Sequence, residues 1–210
     1  MYGIAGVLAS IASLMCPIKT GDLPGLAEDW FLSAPSAARS DVAYVAVATY
    51  MIEAGYPGME RMVWLAEVAS RNLPGSEAPD ITVRMAKGGS IALSQLKGQD
   101  VILLFYDRDC AACAEMVCAL DGSRVISDAI ACGGLVIMAV DVGDSPGAGM
   151  FRIPSSWMDC MDEEGVVIRE ERYFIPYTPV VYLIGKDGII KLKDAVLMDV
   201  ERILTPGCKK

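Results

Sequence analysis

The pattern of apolar and polar positions predicts an α/β fold over the second part of the chain. Residues 101–106 form an unbroken apolar run, which is typical of a strand buried on both faces. The segment 111–120 has the length and composition of a helix, and 135–140 predicts a second buried strand. A Gly/Pro-rich loop follows over 143–159, and a last helix is predicted over 196–204.

Two further hairpins complete this part of the predicted fold. One lies before residue 101, and the other is formed by apolar runs on either side of Lys186-Asp187-Gly188, a typical hairpin turn. Alternating strands and helices that end in an antiparallel hairpin predict a mixed sheet flanked by helices.

The residues before this sheet have a helical pattern instead. Helices are predicted over 41–55 and 58–72, and Pro74-Gly75-Ser76 ends the second one and starts a linker. We therefore predict a small all-α domain over residues 1–76 and an α/β domain over residues 77–210.

Composition and charge narrow the class of protein. The 210 residues are 53% hydrophobic and 21% charged, as in a globular protein with ample core. The net charge is −9, and the chain has no Lys/Arg cluster. This argues against binding to nucleic acid or to anionic membrane surfaces.

The first 18 residues contain no charged side chain. Three interpretations fit them: the first helix of the α domain, an export signal, or a membrane anchor. A signal usually has a basic start, which Met1-Tyr2-Gly3 lacks, and an anchor needs about 20 apolar residues. All three interpretations stay open.

Cys110 and Cys113 carry the most specific chemistry. They form a C-x-x-C pair at the junction of the strand 101–106 and the helix that follows. A helix N-terminus favours thiolate over thiol, because its N–H groups are unpaired and its dipole is positive there. We expect Cys110 to attack a substrate disulfide and Cys113, one turn later, to resolve the mixed disulfide.

A structural zinc site is the main alternative for this pair. Such sites need four Cys or His ligands, but the chain has no histidine and no second C-x-x-C motif. We therefore predict no metal and no cofactor. Two inert core cysteines are the other alternative.

A second element lies about 65 residues downstream. Thr178-Pro179 precedes an apolar run, the turn at Lys186-Asp187-Gly188 and the last helix. Together with the C-x-x-C motif, this order resembles the thioredoxin superfamily. The resemblance implies a thioredoxin-like mixed sheet, a cis peptide at Thr178-Pro179 opposite the two thiols, and substrate binding by both residues.

The lead-in over residues 78–100 resembles bacterial TlpA/ResA-like proteins, here with an N-terminal helical domain of unknown function. This resemblance implies export to the periplasm or cell envelope, protein thiols or disulfides as substrates, and a redox partner protein. Related proteins place a glutamate just after the second cysteine, which makes Glu115 a possible proton shuttle.

The remaining cysteines at positions 16, 118, 132, 160 and 208 bring the total to seven. Cys118, Cys132 and Cys160 lie in apolar surroundings, as expected of inert core thiols, and Cys118 with Cys132 is a possible second disulfide.

The function predicted from the sequence is thiol–disulfide exchange with protein substrates. The alternatives are a thioredoxin-fold binding or scaffold protein without redox turnover and a peroxide reductase. The sequence around Cys110 lacks the Pro and Thr residues that a peroxiredoxin loop carries.

Overall fold

The computed structural model describes residues 23–33, 40–143 and 149–204. The first 18 residues, for which three interpretations were open, lie outside this part of the chain, as do Cys16 and Cys208.

The helices of the first part are α1 (Leu23–Phe31), α2 (Asp41–Glu53) and α3 (Glu60–Ser70). The elements that follow are β1 (Thr82–Met85), β2 (Ser90–Ala92), a 3₁₀ turn (Leu93–Leu96), β3 (Asp100–Tyr106), α4 (Ala111–Gly122), α5 (Arg124–Ala131), β4 (Leu135–Asp141), β5 (Met158–Met161), α6 (Val166–Arg169), β6 (Val180–Ile184), β7 (Ile190–Lys193) and α7 (Leu197–Leu204).

Helices α1 to α3 form a compact unit, Met1–Ser70, and the rest of the chain forms a second one, Arg71–Lys210. Ser40 caps the start of helix α2, and its hydroxyl accepts a hydrogen bond from the Ala43 N–H at 3.2 Å. The Arg61 guanidinium joins α3 to α1 through two hydrogen bonds to the Glu28 carboxylate, at 2.6 and 2.8 Å. The domain boundary at residues 76 and 77 stays a prediction.

One mixed sheet forms the centre of the second unit, in the order β2-β1-β5-β4-β3-β6-β7. Strands β3, β4 and β5 are parallel, whereas β6, β7, β1 and β2 pair antiparallel with their neighbours. The predicted α/β class, with helices before and around a mixed sheet, is confirmed.

Strand β3 is buried on both faces. Its residues from Val101 to Tyr106 are at most 2% exposed. Alternate side chains enter two different core clusters: Leu103 and Phe105 pack on one face, whereas Ile102 and Leu104 pack on the other. The continuous apolar run in the sequence reflects this double burial, because neither face of the strand meets water.

The pairing of β3 with β6 decides where the chain places its downstream proline. Phe105 lies opposite Val180, and the two strands run antiparallel. Pro179 directly precedes Val180, so it lies beside the residues that follow the end of β3. The end of β3 leads through a short turn into α4.

The segment expected to be a linker is instead part of the second unit. Its backbone pairs with the β6–β7 hairpin: the Gly75 N–H donates to the Ile190 carbonyl at 2.8 Å, and the Ile190 N–H donates to the Ser76 carbonyl at 2.9 Å. The Pro-Gly-Ser composition indicated a break after the helix, but could not show that the broken segment finds backbone partners more than 100 residues away.

The loop predicted over residues 143–159 ends earlier than expected, because Met158–Met161 forms strand β5. Helix α5 was not predicted at all. It begins at Ser123, which is both the C-cap of α4 and the N-cap of α5 and accepts the Ile126 N–H at 3.3 Å. A single polar residue therefore separates two helices, and the apolar pattern alone does not reveal the break.

A half-buried acid gives the second unit a pH-dependent stability. Asp194 follows β7 in a left-handed conformation, with φ of 53°. Burial raises the pKa of its carboxyl to about 6, from an ordinary value of 3.8. Because the folded pKa lies above the unfolded one, the contribution of Asp194 to stability is complete below pH 4 and is lost as the pH rises through 6.

We therefore expect Asp194→Asn to stabilise the protein at pH 8 relative to pH 4, by about 1–2 kcal/mol after discounting for partial exposure. Asparagine keeps the shape and tolerates the left-handed backbone. Urea unfolding at the two pH values measures the difference. Asp121→Asn, at an exposed position, is the control. An equal effect of Asp194→Asn at both pH values would contradict the assignment.

Candidate active site

Cys110 is the N-cap of helix α4. Its backbone is extended, with φ −95° and ψ 117°, and the helix begins at Ala111. The Cys113 N–H donates a hydrogen bond to the Cys110 sulfur at 3.2 Å. The sulfur thus takes the place that a Ser or Asp oxygen occupies at other helix starts, next to the positive end of the helix dipole.

A tight turn carries the chain from the end of β3 to this cap. Asp107 organises it, because its carbonyl accepts the Cys110 N–H at 3.2 Å and its carboxylate accepts the Asp109 N–H at 2.8 Å. Side-chain acceptance two residues onward is the usual role of Asp in turns. The turn places Cys110 at a half-buried position.

Cys113 lies one turn further along the helix and is fully buried, with 0% exposure. It packs in the same core cluster as Ile102, Leu104 and Val181, between the helix and the sheet. Burial raises the pKa of its thiol well above the ordinary value of 9.0. The two sulfurs therefore differ: one reaches the surface, whereas the other is enclosed.

Thr178 lies beside the Cys110 sulfur, and Pro179 follows it directly in the chain. The peptide between them is cis. The Cys110 thiol donates to the Thr178 carbonyl at 3.6 Å. The structure thus brings together residues that are 68 positions apart in the chain.

Glu115 is not brought into this group. It is exposed on α4, two residues after the fully buried Cys113. An α-helix turns by about 100° per residue, so positions two apart face nearly opposite sides. Its carboxylate therefore faces solvent, and its proposed part in proton transfer stays a prediction without support from the fold.

Sequence reasoning missed a charged network next to the Cys110 turn. The Arg108 guanidinium donates to Asp141 at 2.6 Å and to Asp159 at 2.9 Å. Asp159 also accepts the Tyr106 hydroxyl at 2.8 Å. Burial, and then the Asp159 carboxylate, raises the pKa of Tyr106, so Tyr106 remains a neutral donor.

The sequence did contain a signal for this network. Asp141 closes the apolar run of β4, and Asp159 lies inside a short strand, where charged residues are unfavourable unless paired. The partners of Arg108 come from strands 33 and 51 residues away.

The remaining described cysteines correct two expectations. The suggested pairing of Cys118 with Cys132 is wrong, because Cys118 is a free thiol and Cys132 is bonded in a disulfide. Cys118 is also exposed, and so is not a core thiol, whereas Cys160 is free and buried. Cys118 thus provides an accessible reference thiol on the same helix as the candidate pair.

Three further features of the described residues concern metal binding, membrane insertion and cavities. None of their His, Cys, Asp and Glu side chains form a group of three or more that could hold a metal ion. None of their helices is long and apolar enough to cross a membrane. A cleft of about 270 Å³ lies at the opposite end of β3, against Val101 and Ile184, and is separate from the two sulfurs.

Comparison with protein families identifies the segment that contains the candidate pair. Residues 74–150 match the model of the AhpC/TSA family. Comparison with curated proteins gives no match.

Several solved structures are similar to this chain. A thioredoxin-like protein from Bacteroides caccae has 23% identity and a TM-score of 0.79, over 86% of this chain and 68% of its own. The C-terminal domain of an uncharacterized protein from Bacteroides fragilis has 27% identity and a TM-score of 0.60, over 64% of this chain and 99% of its own. The thioredoxin domain of a thiol-disulfide oxidoreductase from Bacteroides vulgatus has 24% identity and a TM-score of 0.54, over 63% and 95%.

These similarities define the fold. The chain has a thioredoxin-like fold, as predicted, and the similarity of residues 74–150 to the AhpC/TSA family agrees with that fold. The narrower assignment to TlpA/ResA-like proteins stays a prediction.

The different burial of the four free thiols among the described residues predicts an order of chemical labelling. We expect iodoacetamide at pH 7.5 to modify Cys110 and Cys118 in the folded, reduced protein. Cys113 and Cys160 should stay unmodified until the protein is unfolded, because both are buried and burial raises both thiol pKa values. Peptide mass spectrometry after timed labelling measures the four rates. Modification of Cys113 as fast as Cys118 would contradict the enclosed position of the second sulfur.

Proposed function

We propose that this protein is a thiol–disulfide oxidoreductase that exchanges disulfides with protein substrates through Cys110 and Cys113. The observation that carries the proposal is the placement of Cys110. It caps a helix, receives the Cys113 N–H and touches the Thr178 carbonyl, while Cys113 lies buried directly behind it. An accessible sulfur next to an enclosed one is the arrangement that two-step exchange requires.

The first step uses the accessible sulfur. The Cys110 thiolate attacks one sulfur of a substrate disulfide, a new S–S bond forms, and the other substrate sulfur leaves as a thiolate that takes up a proton. The Cys113 N–H stabilises the Cys110 sulfur before attack, because it already donates to it at 3.2 Å. The product is a mixed disulfide between Cys110 and the substrate.

The second step uses the enclosed sulfur. Cys113 loses its proton and attacks the Cys110 sulfur, which releases the substrate's second thiolate and leaves a Cys110–Cys113 disulfide. Two electrons have then passed to the substrate. Burial raises the pKa of Cys113, so its proton must leave as the attack proceeds, with the departing substrate thiolate as an acceptor. A dithiol of a redox partner protein restores the reduced pair, and the reverse direction would oxidise a substrate.

The substrate segment would lie along Thr178 and Pro179. The Thr178 carbonyl is within reach of Cys110, and the backbone before β6 is not yet paired in the sheet. An extended peptide bound there by its main chain would present its disulfide to Cys110. This geometry suits protein substrates, because a polypeptide segment can adopt the extended conformation that main-chain binding requires.

We further propose a TlpA/ResA-like role in the periplasm or cell envelope. The lead-in segment resembles that subfamily, and Cys132 is disulfide-bonded, as is usual in oxidising compartments. A binding protein without turnover and a peroxide reductase remain the competing functions, and the following experiment separates them.

We expect Cys113→Ala to accumulate mixed disulfides between Cys110 and substrate proteins, because Cys113 is the thiol one turn from Cys110. Non-reducing electrophoresis and mass spectrometry identify the adducts. Cys110→Ser in the same background should form none, and Cys118→Ser should form as many as Cys113→Ala alone.

Turnover is measured on the unmodified pair with dithiothreitol and insulin. The parent protein and Cys118→Ser should reduce insulin at the same rate, whereas Cys110→Ser should be inactive. No adducts and no insulin reduction would favour the binding protein. Consumption of hydrogen peroxide without insulin reduction would favour the peroxide reductase.

A further inference from the structure

Arg108 lies two residues before Cys110, but its guanidinium forms ion pairs with Asp141 and Asp159. Its guanidinium is held between Asp141 and Asp159, with side-chain exposures of 22% for the arginine and 10% and 24% for the two acids. Arginine holds two carboxylates at once because its N–H donors form a planar fork. These contacts join the turn after β3 to the parallel strands β4 and β5.

The main chain of Arg108 is held as well. Its carbonyl accepts the Met150 N–H at 2.9 Å. Gly149 packs against its side-chain carbons so closely that an added Cβ would lie 3.0 Å from the Cβ of Arg108. The centre of the turn is thus fixed by side-chain and backbone contacts, whereas its ends are fixed by Asp107 and the helix cap.

We propose that Arg108 is a positioning residue for disulfide exchange, which holds the Asp107–Cys110 turn so that the Cys110 sulfur stays against the Thr178 carbonyl. This inference rests on the proposed function, in which Cys110 is the attacking thiol. Arg108 does not touch the substrate; it acts through the turn and through the neutralisation of two carboxylates.

The charges around Arg108 predict the direction in which its loss changes the stability of the Cys110 thiolate. Arg108 is the cation that the structure pairs with Asp141 and Asp159, and its loss leaves two carboxylates close together beside the turn. Added negative potential disfavours the Cys110 thiolate and so destabilises the reduced pair. Displacement of the Cys110 sulfur, in contrast, slows disulfide exchange without a defined change in the electrostatic potential at the thiolate. Variants that change one property and not the other separate the two contributions.

The first test compares Arg108→Gln with Arg84→Gln. Arg84 forms an exposed ion pair with Glu163 at 2.8 Å, so the control makes the same charge change on the surface of the same sheet. We expect Arg108→Gln to slow iodoacetamide labelling of Cys110 about fivefold relative to Cys118 in the same molecule. The equilibrium of the Cys110/Cys113 pair with glutathione should shift about tenfold, which is about 30 mV toward more negative potential. Arg84→Gln should change neither.

The second test separates position from charge. Arg108→Lys keeps the charge but not the fork, so it should restore the labelling ratio and the potential while insulin reduction stays about tenfold slower. Asp141→Asn removes one negative charge and one of the two ion pairs of Arg108. It should speed the labelling of Cys110 while slowing insulin reduction. Circular dichroism confirms that each variant is folded, and the Lys and Asn variants decide the matter if Arg108→Gln does not fold.

Two results would overturn the proposal. One is a labelling ratio and potential in Arg108→Gln equal to those in Arg84→Gln. The other is insulin reduction by Arg108→Lys at the parent rate. If the parent protein reduces no insulin, the proposed function fails, and the labelling ratio and potential, which need no substrate, still decide the role of Arg108.

Discussion

The antiparallel pairing of β6 with β3 is the constraint on which the site depends. The register sets Phe105 opposite Val180, and this one choice fixes which residues meet at the end of the sheet. A shift by one residue would turn every side chain of β6 to the other face and carry Thr178 away from Cys110. Both strands are buried on two faces, so the alternating packing of their side chains holds the register. The packing of the hydrophobic core therefore determines the position of Thr178 relative to Cys110.

The same core makes the two cysteines unequal. Cys113 belongs to the core cluster that includes Ile102, Leu104 and Val181. The same side chain therefore packs in the core and serves as the proposed resolving thiol. Cys110 lies where the helix starts and the core ends, and there the sulfur replaces the usual capping oxygen. The chain passes from the half-buried Cys110 to the fully buried Cys113 within three residues. The distinction between attacking and resolving thiols is thus a matter of depth as well as of residue type.

The sequence predicted the central strand, the cysteine pair and Thr178-Pro179 because each is a local pattern with its own physical cause. It did not predict that Arg108 meets Asp141 and Asp159, since that meeting depends on the order and register of three strands. Helix α5 was missed because Ser123 alone marks its start, and Glu115 was considered for a role that its side of the helix does not support. Local patterns identify elements and reactive groups, whereas the contacts that position them arise from the assembled sheet.

The pairing of residues 75–78 with the β6–β7 hairpin has a consequence for association between molecules. An outer strand normally presents a row of unused N–H and C=O groups, which can recruit the sheet of another molecule and start aggregation. Here the Ile190 amide and carbonyl are already occupied by Ser76 and Gly75, and the Gly188 carbonyl receives the Ala78 N–H. At the opposite edge, β2 spans only three residues. The protein thus covers the start of β7, at one border of its sheet, with its own backbone, and the strand at the other border is too short to serve as a template.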